Sequence, residues 1–336
     1  MEMMKEVFKG TVEVPSKVIL FGEHAVVEGY GAISMAVDLK TRGRIFESEK
    51  DIVINLRDLG RSLTLNIEDI PTLNLRNYNS SVKYVLCAIK SIVNYLKDRG
   101  YEDFKPFKLD ISSDIPVSCG LGSSASVVAT TIKSFLSANT ISIPKKELCK
   151  ICFSVEREVQ GKASITDTAT VIYNSVLKIK NSNDFEVLEG TKLYKLLKGC
   201  HFLVVHVERR KKKTAELVKE VAEHPRKEEI FRSIGEIVNK VEEVSTWEEL
   251  GDLMVKNHKL LRELGVSTSK IDKVVELGSR YGYGAKLSGA GGGGVVIILT
   301  DEDRREGLLE SLRELEVLDV FECKVGVKSE IKRDKK

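Results

Sequence analysis

The sequence predicts an α+β protein with two domains, because strand patterns and helix patterns dominate different parts of the chain. Alternating apolar and polar residues predict mainly strands in the first third of the 336 residues. After residue 200 an apolar strand is followed by several amphipathic helices and then by further strands. The length allows two domains, which we place at residues 1–185 and 186–336, although no linker rich in Pro, Gly or Ser marks the boundary.

The elements of the first half follow in order from these patterns. Strands are predicted at 8–14, 17–21, 32–37, 43–47, 53–56, 63–67, 107–112, 175–179 and 185–188. Three helices are predicted. The first spans 82–99, the second runs from a glycine-rich turn to about residue 137, and the third spans 145–160 and is followed by a polar turn at 161–168. The helix at 82–99 has the clearest support, because apolar residues recur on one face at Val85, Leu86, Ile89, Ile92, Val93 and Leu96.

The second half begins with a strand and then becomes helical. Strands are predicted at 202–207, 285–288, 295–299 and 320–327, and helices at 215–223, 227–244, 247–264, 269–281 and 303–315. We find no internal repeat of about 20–50 residues, so a solenoid or a propeller is excluded.

Composition excludes several classes of protein. A hydrophobic content of 42% and a net charge of +3 exclude intrinsic disorder. No apolar run reaches the ~18 residues of a membrane helix, and the charged N-terminus lacks the apolar centre of a secretory signal. We therefore expect a cytoplasmic protein that binds no membrane. The 53 basic residues nearly balance the 50 acidic ones, which gives little support to nucleic-acid binding.

The six cysteines are expected to be reduced thiols. Cys149 and Cys152 form a lone CxxC inside a predicted helix. A structural zinc site would need a second pair, and the sequence has none. Metal binding or redox chemistry at this pair is therefore a distant alternative.

The strongest local motif is a glycine-rich turn that opens a helix. It consists of Pro116, Val117, Ser118, Cys119, Gly120, Leu121, Gly122, Ser123, Ser124, Ala125 and Ser126. Such a turn directs backbone N–H groups and the positive end of the helix dipole at one point, which suits a phosphate. The motif matches neither Walker A nor G-x-G-x-x-G, and an ordinary helix-capping turn is the alternative.

Two further segments carry unusual residues. Lys17 lies in an apolar strand, where a lysine either reaches solvent or meets an anion. Glu23 and His24 follow that strand, at a usual place for substrate contacts. The segment 289–294 contains five glycines in six positions, which indicates either a close backbone approach or a flexible hinge.

Three segments that contain these residues, Pro15–His24, Pro116–Ser126 and Lys286–Gly294, occur in the order and at roughly the spacing of the three motifs of the GHMP kinase superfamily. The resemblance covers nearly the whole chain. Within the superfamily, Gly22-Glu23-His24-Ala25-Val26-Val27 and the following Gly29-Tyr30-Gly31-Ala32 resemble the archaeal mevalonate kinases. The resemblance implies an N-terminal ATP-binding domain similar to ribosomal protein S5 domain 2 and a C-terminal domain with a ferredoxin-like core. The active site would lie between them.

The resemblance also implies roles for residues of the site. Residues 116–126 correspond to the ATP loop, and Ser124 and Glu156 to the ligands of Mg²⁺. Asp167, eleven residues after Glu156, corresponds to the catalytic aspartate, with Lys17 beside it. Many relatives read Pro-Ser-Gly-x-Asp before this aspartate, whereas this chain reads Ala-Ser-Ile-Thr-Asp. Glu158 is the competing carboxylate, but it lies on another face of the helix.

The substrate-binding residues implied by the resemblance surround this pair. They are Lys17, Glu23, His24, Asp167, Thr214, Gly289, Ala290 and Gly291. Lysines 211–213 precede Thr214 and either add positive potential for a carboxylate substrate or form a solvated loop.

The implied reaction is phosphoryl transfer from ATP to the 5-hydroxyl of (R)-mevalonate, giving (R)-5-phosphomevalonate in isoprenoid biosynthesis. A homodimer is the implied assembly. Another small-molecule kinase of the superfamily, such as a phosphomevalonate kinase or a mevalonate 3-kinase, is the nearest alternative. A catalytically silent nucleotide-binding sensor on the same fold is the alternative from another class.

Overall fold

Two β-sheets form the framework of the protein. The computed structural model describes residues 7–76, 78–116, 119–161, 163–212 and 214–326. The predictions made for Val117, Ser118, Lys213 and residue 327 therefore lie outside the described residues. The prediction that the last strand continues beyond Cys323 was wrong for residues 324–326, because the chain leaves the second sheet there and residue 325 bridges to residue 37 of the first.

The first sheet has seven strands, and only one of its pairings is parallel. The strands are β1 (Phe8–Phe21), β2 (Ala32–Glu47), β3 (Ile52–Leu56), β4 (Arg61–Leu65), β5 (Phe107–Ser113), β6 (Val176–Asn181) and β7 (Asp184–Val187). They are ordered β4-β3-β5-β2-β6-β7, with β1 paired to β2. β3 and β5 run parallel, and all other pairs are antiparallel.

β1 and β2 are each a single long strand, so the breaks predicted in both of them were wrong. Their pairing shifts register between Pro15 and Ser16, where β2 contributes extra residues. A bulge of this kind bends a strand without ending it and tolerates a proline. The bend therefore lets the first half of β1 pack under one set of helices while the second half, with Lys17, reaches the site.

Four helices pack on the first sheet: α1 (Ser80–Lys97), α2 (Ser123–Ala138), α3 (Lys145–Gln160) and α4 (Ile165–Tyr173). The predicted apolar stripe of α1 is completely buried. The prediction of a polar turn at 161–168 was wrong in its second half, because α4 begins at Ile165. Ser164 starts this helix by accepting a hydrogen bond from the Thr166 N–H. Asp167 therefore lies in the first turn of a helix.

The second sheet is antiparallel and ordered β11-β8-β10-β9. Its strands are β8 (His201–Glu208), β9 (Gly284–Ser288), β10 (Gly294–Thr300) and β11 (Asp319–Cys323). The helices of this half are α5 (Lys192–Lys198), α6 (Thr214–Ala222), α7 (Lys227–Lys240), α8 (Trp247–Glu263), α9 (Ser269–Tyr281) and α10 (Glu302–Arg313). The order of strands and helices is ferredoxin-like, as expected; α5 was not predicted.

Short 3₁₀-helices complete the described elements, at Ala25–Glu28, Arg57–Leu59, Ile70–Thr72 and Val241–Glu243. The last of these continues α7, whose predicted helix extended to residue 244. None of the helices in the described residues is long and apolar enough to cross a membrane.

One hydrophobic cluster joins the two sheets. It combines Val18, Leu20 and Met35 of the first sheet with Val204 and Ile297 of the second. The chain after β11 also returns to the first sheet, where residue 325 forms a bridge with residue 37. The first sheet ends at residue 187 and the second begins at residue 201. The domain boundary at 185/186 stays a prediction.

Candidate active site

The glycine-rich turn is attached directly to the strand that carries Lys17. The Lys17 N–H donates to the Leu121 carbonyl at 3.0 Å, and the Ser126 hydroxyl donates to the Pro15 carbonyl at 2.7 Å. Gly122 has a φ of +73°, and a Cβ there would lie 2.9 Å from Lys17 Cγ. Only glycine fits at this position without strain. The start of α2 is therefore held in a fixed position relative to Lys17.

Lys17 and Asp167 form an ion pair next to this turn. Lys17 Nζ lies 2.9 Å from Asp167 Oδ1. The lysine side chain is 4% exposed and that of the aspartate 36%, so the carboxylate faces the open side of the site. A buried ammonium group needs such a partner, and the contact joins β1 to α4.

Glu156 of α3 lies beside Ser124 at the start of α2. Burial raises the pKa of Glu156 to about 7, and the charge of Asp167 adds to this rise. Ser124, Gln160 and Lys17 favour the ionised form but do not compensate. Glu156 Oε1 is buried without a hydrogen-bond partner in the described part of the chain.

A carboxylate oxygen and a hydroxyl oxygen suit Mg²⁺, which usually takes one or two protein carboxylates and completes its shell with phosphate oxygens and water. The buried, unpartnered Oε1 of Glu156 beside Ser124 therefore fits such an ion. Glu158, the competing carboxylate, is exposed and contacts Cys87 of α1. It does not share this position.

A cavity of about 930 Å³ opens over these residues. Five of the predicted ATP-loop residues line it, together with residues from α1, β5, the segment before α6 and the first residue of α6: Pro116, Gly120, Gly122, Ser123, Ser124, Tyr84, Ile111, Arg210 and Thr214. The predicted loop residues Cys119, Leu121, Ala125 and Ser126 are buried behind the turn instead. They support the loop from the core side.

Arg210 fills the space between the glycine-rich turn and the glycine segment 289–294. A Cβ at Gly120 would lie 2.1 Å from Arg210 Nη2, and one at Gly289 would lie 2.9 Å from it. Burial lowers the pKa of Arg210, while the charge of Asp167 opposes the shift. Arg210 Nη1 donates to Thr214 Oγ1 at 3.4 Å, and Nε is buried without a partner among the described residues.

Glu23 and His24 take different positions at the end of β1. Glu23 forms a fully buried ion pair with Lys286 of β9. Burial raises the pKa of Glu23 and lowers that of Lys286, while their mutual attraction opposes both shifts. His24 donates from Nε2 to the Ala290 carbonyl at 2.9 Å, which leaves Nδ1 as an unpartnered acceptor within the described chain.

The backbone of the glycine segment 289–294 lies close to the backbone of the glycine-rich turn. A Cβ at Gly294 would lie 3.1 Å from the Cys119 carbonyl, and its φ is +93°. Gly291 instead faces Val266, whose carbonyl would lie 2.1 Å from a Cβ there. Of the three predicted substrate-binding residues of this segment, Gly289 contacts Arg210, Ala290 contacts His24, and Gly291 contacts neither.

Four residues of the site were missed by the sequence analysis. The sequence analysis gave Arg210 no role, and it gave Lys286 none beyond a place at the start of the third motif, although this lysine interrupts an apolar strand. Tyr84 and Gln160 line the cavity, and no local pattern marks them. A charge inside an apolar strand is the one signal that could have revealed Lys286.

Comparisons with known proteins identify the family of this chain. The family model of the GHMP kinases N terminal domain matches residues 83–175, and that of the GHMP kinases C terminal region matches residues 237–317. A mevalonate kinase from Methanocaldococcus jannaschii is 49% identical over 315 residues, covering 94% of this chain and 99% of that protein. One from Saccharolobus solfataricus is 32% identical, covering 83% and 86%.

A solved structure extends the likeness to three dimensions. The crystal structure of the Methanococcus jannaschii mevalonate kinase superposes with a TM-score of 0.89 at 47% identity, covering 96% of this chain and 99% of that one. Two family models, a relative that is 49% identical over nearly its whole length and a solved structure with the same fold thus point to one family. The chain therefore belongs to the GHMP kinases and, within them, to the mevalonate kinase family.

Proposed function

We propose that this protein transfers the γ-phosphoryl group of ATP to the 5-hydroxyl of (R)-mevalonate, giving (R)-5-phosphomevalonate in the mevalonate pathway of isoprenoid biosynthesis. The observation that carries the proposal is the contact between Lys17 and Asp167 at the base of the glycine-rich turn. A base and a cation are thereby held where the helix start would receive a terminal phosphate. The full-length mevalonate kinase relatives support the choice of acceptor.

The cavity offers separate places for the parts of ATP. One part of the cavity is apolar and suits the adenine ring of ATP; it is lined by Leu56, Val85, Ile111 and Ile115. The N–H groups at the start of α2, after Gly122, would bind the phosphates through hydrogen bonds and the helix dipole. The same cavity thus joins a base site to a phosphate site.

Mg²⁺ belongs to the proposal as the ion held by Ser124 and Glu156. When bound, it supplies charge neutralisation to the β- and γ-phosphates. Glu156 must be ionised to act as a ligand, and its raised pKa makes metal binding compete with protonation. The Ser124 hydroxyl contributes an oxygen at the start of α2.

Asp167 and Lys17 handle the acceptor hydroxyl. Asp167 would accept a hydrogen bond from the 5-hydroxyl, orient its oxygen towards the γ-phosphorus and take up its proton. Lys17 pairs with this carboxylate and would stabilise the negative charge that develops on the attacking oxygen. Positioning and charge stabilisation therefore carry the reaction, as is usual for phosphoryl transfer.

Arg210 is the residue that we assign to the carboxylate of mevalonate. It is a mostly buried cation with a free Nε, and it lies near Asp167 on the side of Thr214. Guanidinium groups bind carboxylates in two-pronged hydrogen bonds that lysine cannot reproduce. We expect Arg210→Lys to raise the KM for mevalonate by about tenfold or more while the KM for ATP changes little.

An assay of ADP release with mevalonate, phosphomevalonate, homoserine and galactose tests the proposal. We expect release with mevalonate, and release only with another acceptor would refute the assignment. Asp167→Asn should lower kcat by a factor of about 10³ or more while ATP still binds. Near-normal turnover of that variant would mean that another group accepts the proton. The proposal includes a cytoplasmic location and a homodimer, which size-exclusion chromatography with light scattering would test.

A further inference from the structure

Gln160, the only glutamine of the chain, lies one helical turn beyond the proposed metal ligand Glu156. Both are on α3, four residues apart, a spacing that places side chains on the same helix face. Gln160 Nε2 donates to Glu156 Oε2 at 3.2 Å. Gln160 also lines the cavity, where its side chain is exposed.

This hydrogen bond makes the two oxygens of Glu156 different. Oε2 is held by the amide, whereas Oε1 is buried without a partner in the described chain. The last torsion of a glutamate side chain is broad and has little preference of its own. An anchor on one oxygen therefore sets the rotation of the carboxylate and decides where the other oxygen points.

Tyr84 of α1 is a second neighbour of Gln160. Its phenol interacts with Gln160 and with Ser124, and it also lines the cavity. Gln160 thus interacts both with Glu156 and with a phenol that also interacts with the second proposed metal ligand. An ordinary solvent-exposed pair on a helix would lack this third contact and would not involve a carboxylate that is only 3% exposed.

We infer that Gln160 is a positioning residue that presents Glu156 Oε1 to the divalent cation. This inference rests on the proposed function, in which Glu156 is a metal ligand. Partners that orient a ligating carboxylate affect metal affinity almost as much as the ligands do, by about 10–100-fold. The amide should therefore act on metal binding and not on the nucleotide itself.

Direct binding of Mn²⁺, measured by electron paramagnetic resonance on the enzyme with a non-hydrolysable ATP analogue and no acceptor, tests the inference. Gln160→Met keeps the length of the side chain and removes the donor, and we expect it to weaken Mn²⁺ binding about tenfold. Gln160→Glu keeps the shape and also removes the donor, but its added negative charge attracts a divalent cation, so Gln160→Met is the variant that decides the test. Affinity for the analogue without divalent cation should stay within about twofold for both variants.

The outcomes distinguish a failure of the role inferred for Gln160 from a failure of the proposed metal ligand Glu156. Glu156→Gln in the same measurement reports on the ligand itself. If Glu156→Gln weakens Mn²⁺ binding while Gln160→Met leaves it within about twofold of the parent protein, the inference is wrong and the metal site stands. If Glu156→Gln also leaves Mn²⁺ affinity unchanged, the ligand assignment fails and takes the inference with it. Because the Gln160 side chain is exposed, its substitution should not unfold the protein.

Discussion

The buried carboxylate of Glu156 should make the metal-free protein less stable as pH rises. The native state binds the Glu156 proton below about pH 7, whereas an ordinary glutamate binds it only below a pKa of 4.5. Between these values the native state holds more protons than the unfolded state, so stability falls with rising pH. Glu156→Gln removes this contribution, since its amide carries no charge at any pH.

The size of the effect follows from the two pKa values. By linkage, the raised pKa costs the native state about 1 kcal/mol near pH 5 and about 3 kcal/mol near pH 8. We therefore expect the stability of Glu156→Gln relative to the parent protein to increase by roughly 2–3 kcal/mol between these two conditions. Using the change between conditions cancels any constant difference in packing between the two side chains.

Urea unfolding of both proteins, free of metal and nucleotide, measures this change. The side chains around Glu156 are the same in both proteins, so their own contributions to the pH dependence of stability largely cancel. They are Lys17, Ser124, Gln160 and Asp167. Glu158→Gln, an exposed change on the same helix, gives the background for removing one carboxylate. A relative stability that is constant with pH, or that decreases as pH rises, would refute the reasoning.

Two further substitutions test the framework of the site. Gly122→Ala adds a Cβ at 2.9 Å from Lys17 Cγ at a positive φ, so kcat should fall at least about tenfold. The control is Gly100→Ala, which also has a positive φ but open space around it, so it should cost only backbone strain. Equal kcat values for the two variants would contradict the steric argument. Lys286→Met leaves Glu23 buried without its partner and should destabilise the protein by about 3–5 kcal/mol. Adding Glu23→Gln should recover part of that loss in chemical denaturation, and an additive double variant would show that the two residues do not act as a pair.

Local patterns predicted the regular elements well. α3 and α9 begin and end where the sequence placed them, because each has an apolar stripe and clear ends. The breaks inside β1 and β2 were wrong, since continuity there depends on pairing across a bulge. α4 was missed because three threonines interrupt the aliphatic residues of its buried surface, so that its first turns look polar in the sequence. These errors arise where tertiary packing, not local preference, decides the structure.

The site was predictable only in part. The glycine-rich turn and Lys17 stand out by residue type alone, whereas Glu156 and Asp167 were assigned through the family resemblance. In the structure the turn and Asp167 line one cavity, and Lys17 and Glu156 lie next to Asp167 and Ser124 respectively. Their chemical roles stay predictions. Arg210 could not be selected locally, because its surroundings come from segments distant in sequence. Lys286 carries one local signal, a charge inside an apolar strand, but its partner Glu23 is 263 residues away and only the fold brings the two together.

The hydrophobic cluster that joins the two sheets limits how the enzyme can move. A hinge between the halves would have to separate Val18 and Leu20 from Val204 and Ile297, exposing tightly packed apolar surface to water. Substrate entry and product release are therefore expected to depend on small loop and side-chain rearrangements at the cavity mouth, while the two sheets keep their relative position. Without a large closing motion, the residues that the two sheets contribute to the site would keep the same relative positions throughout turnover.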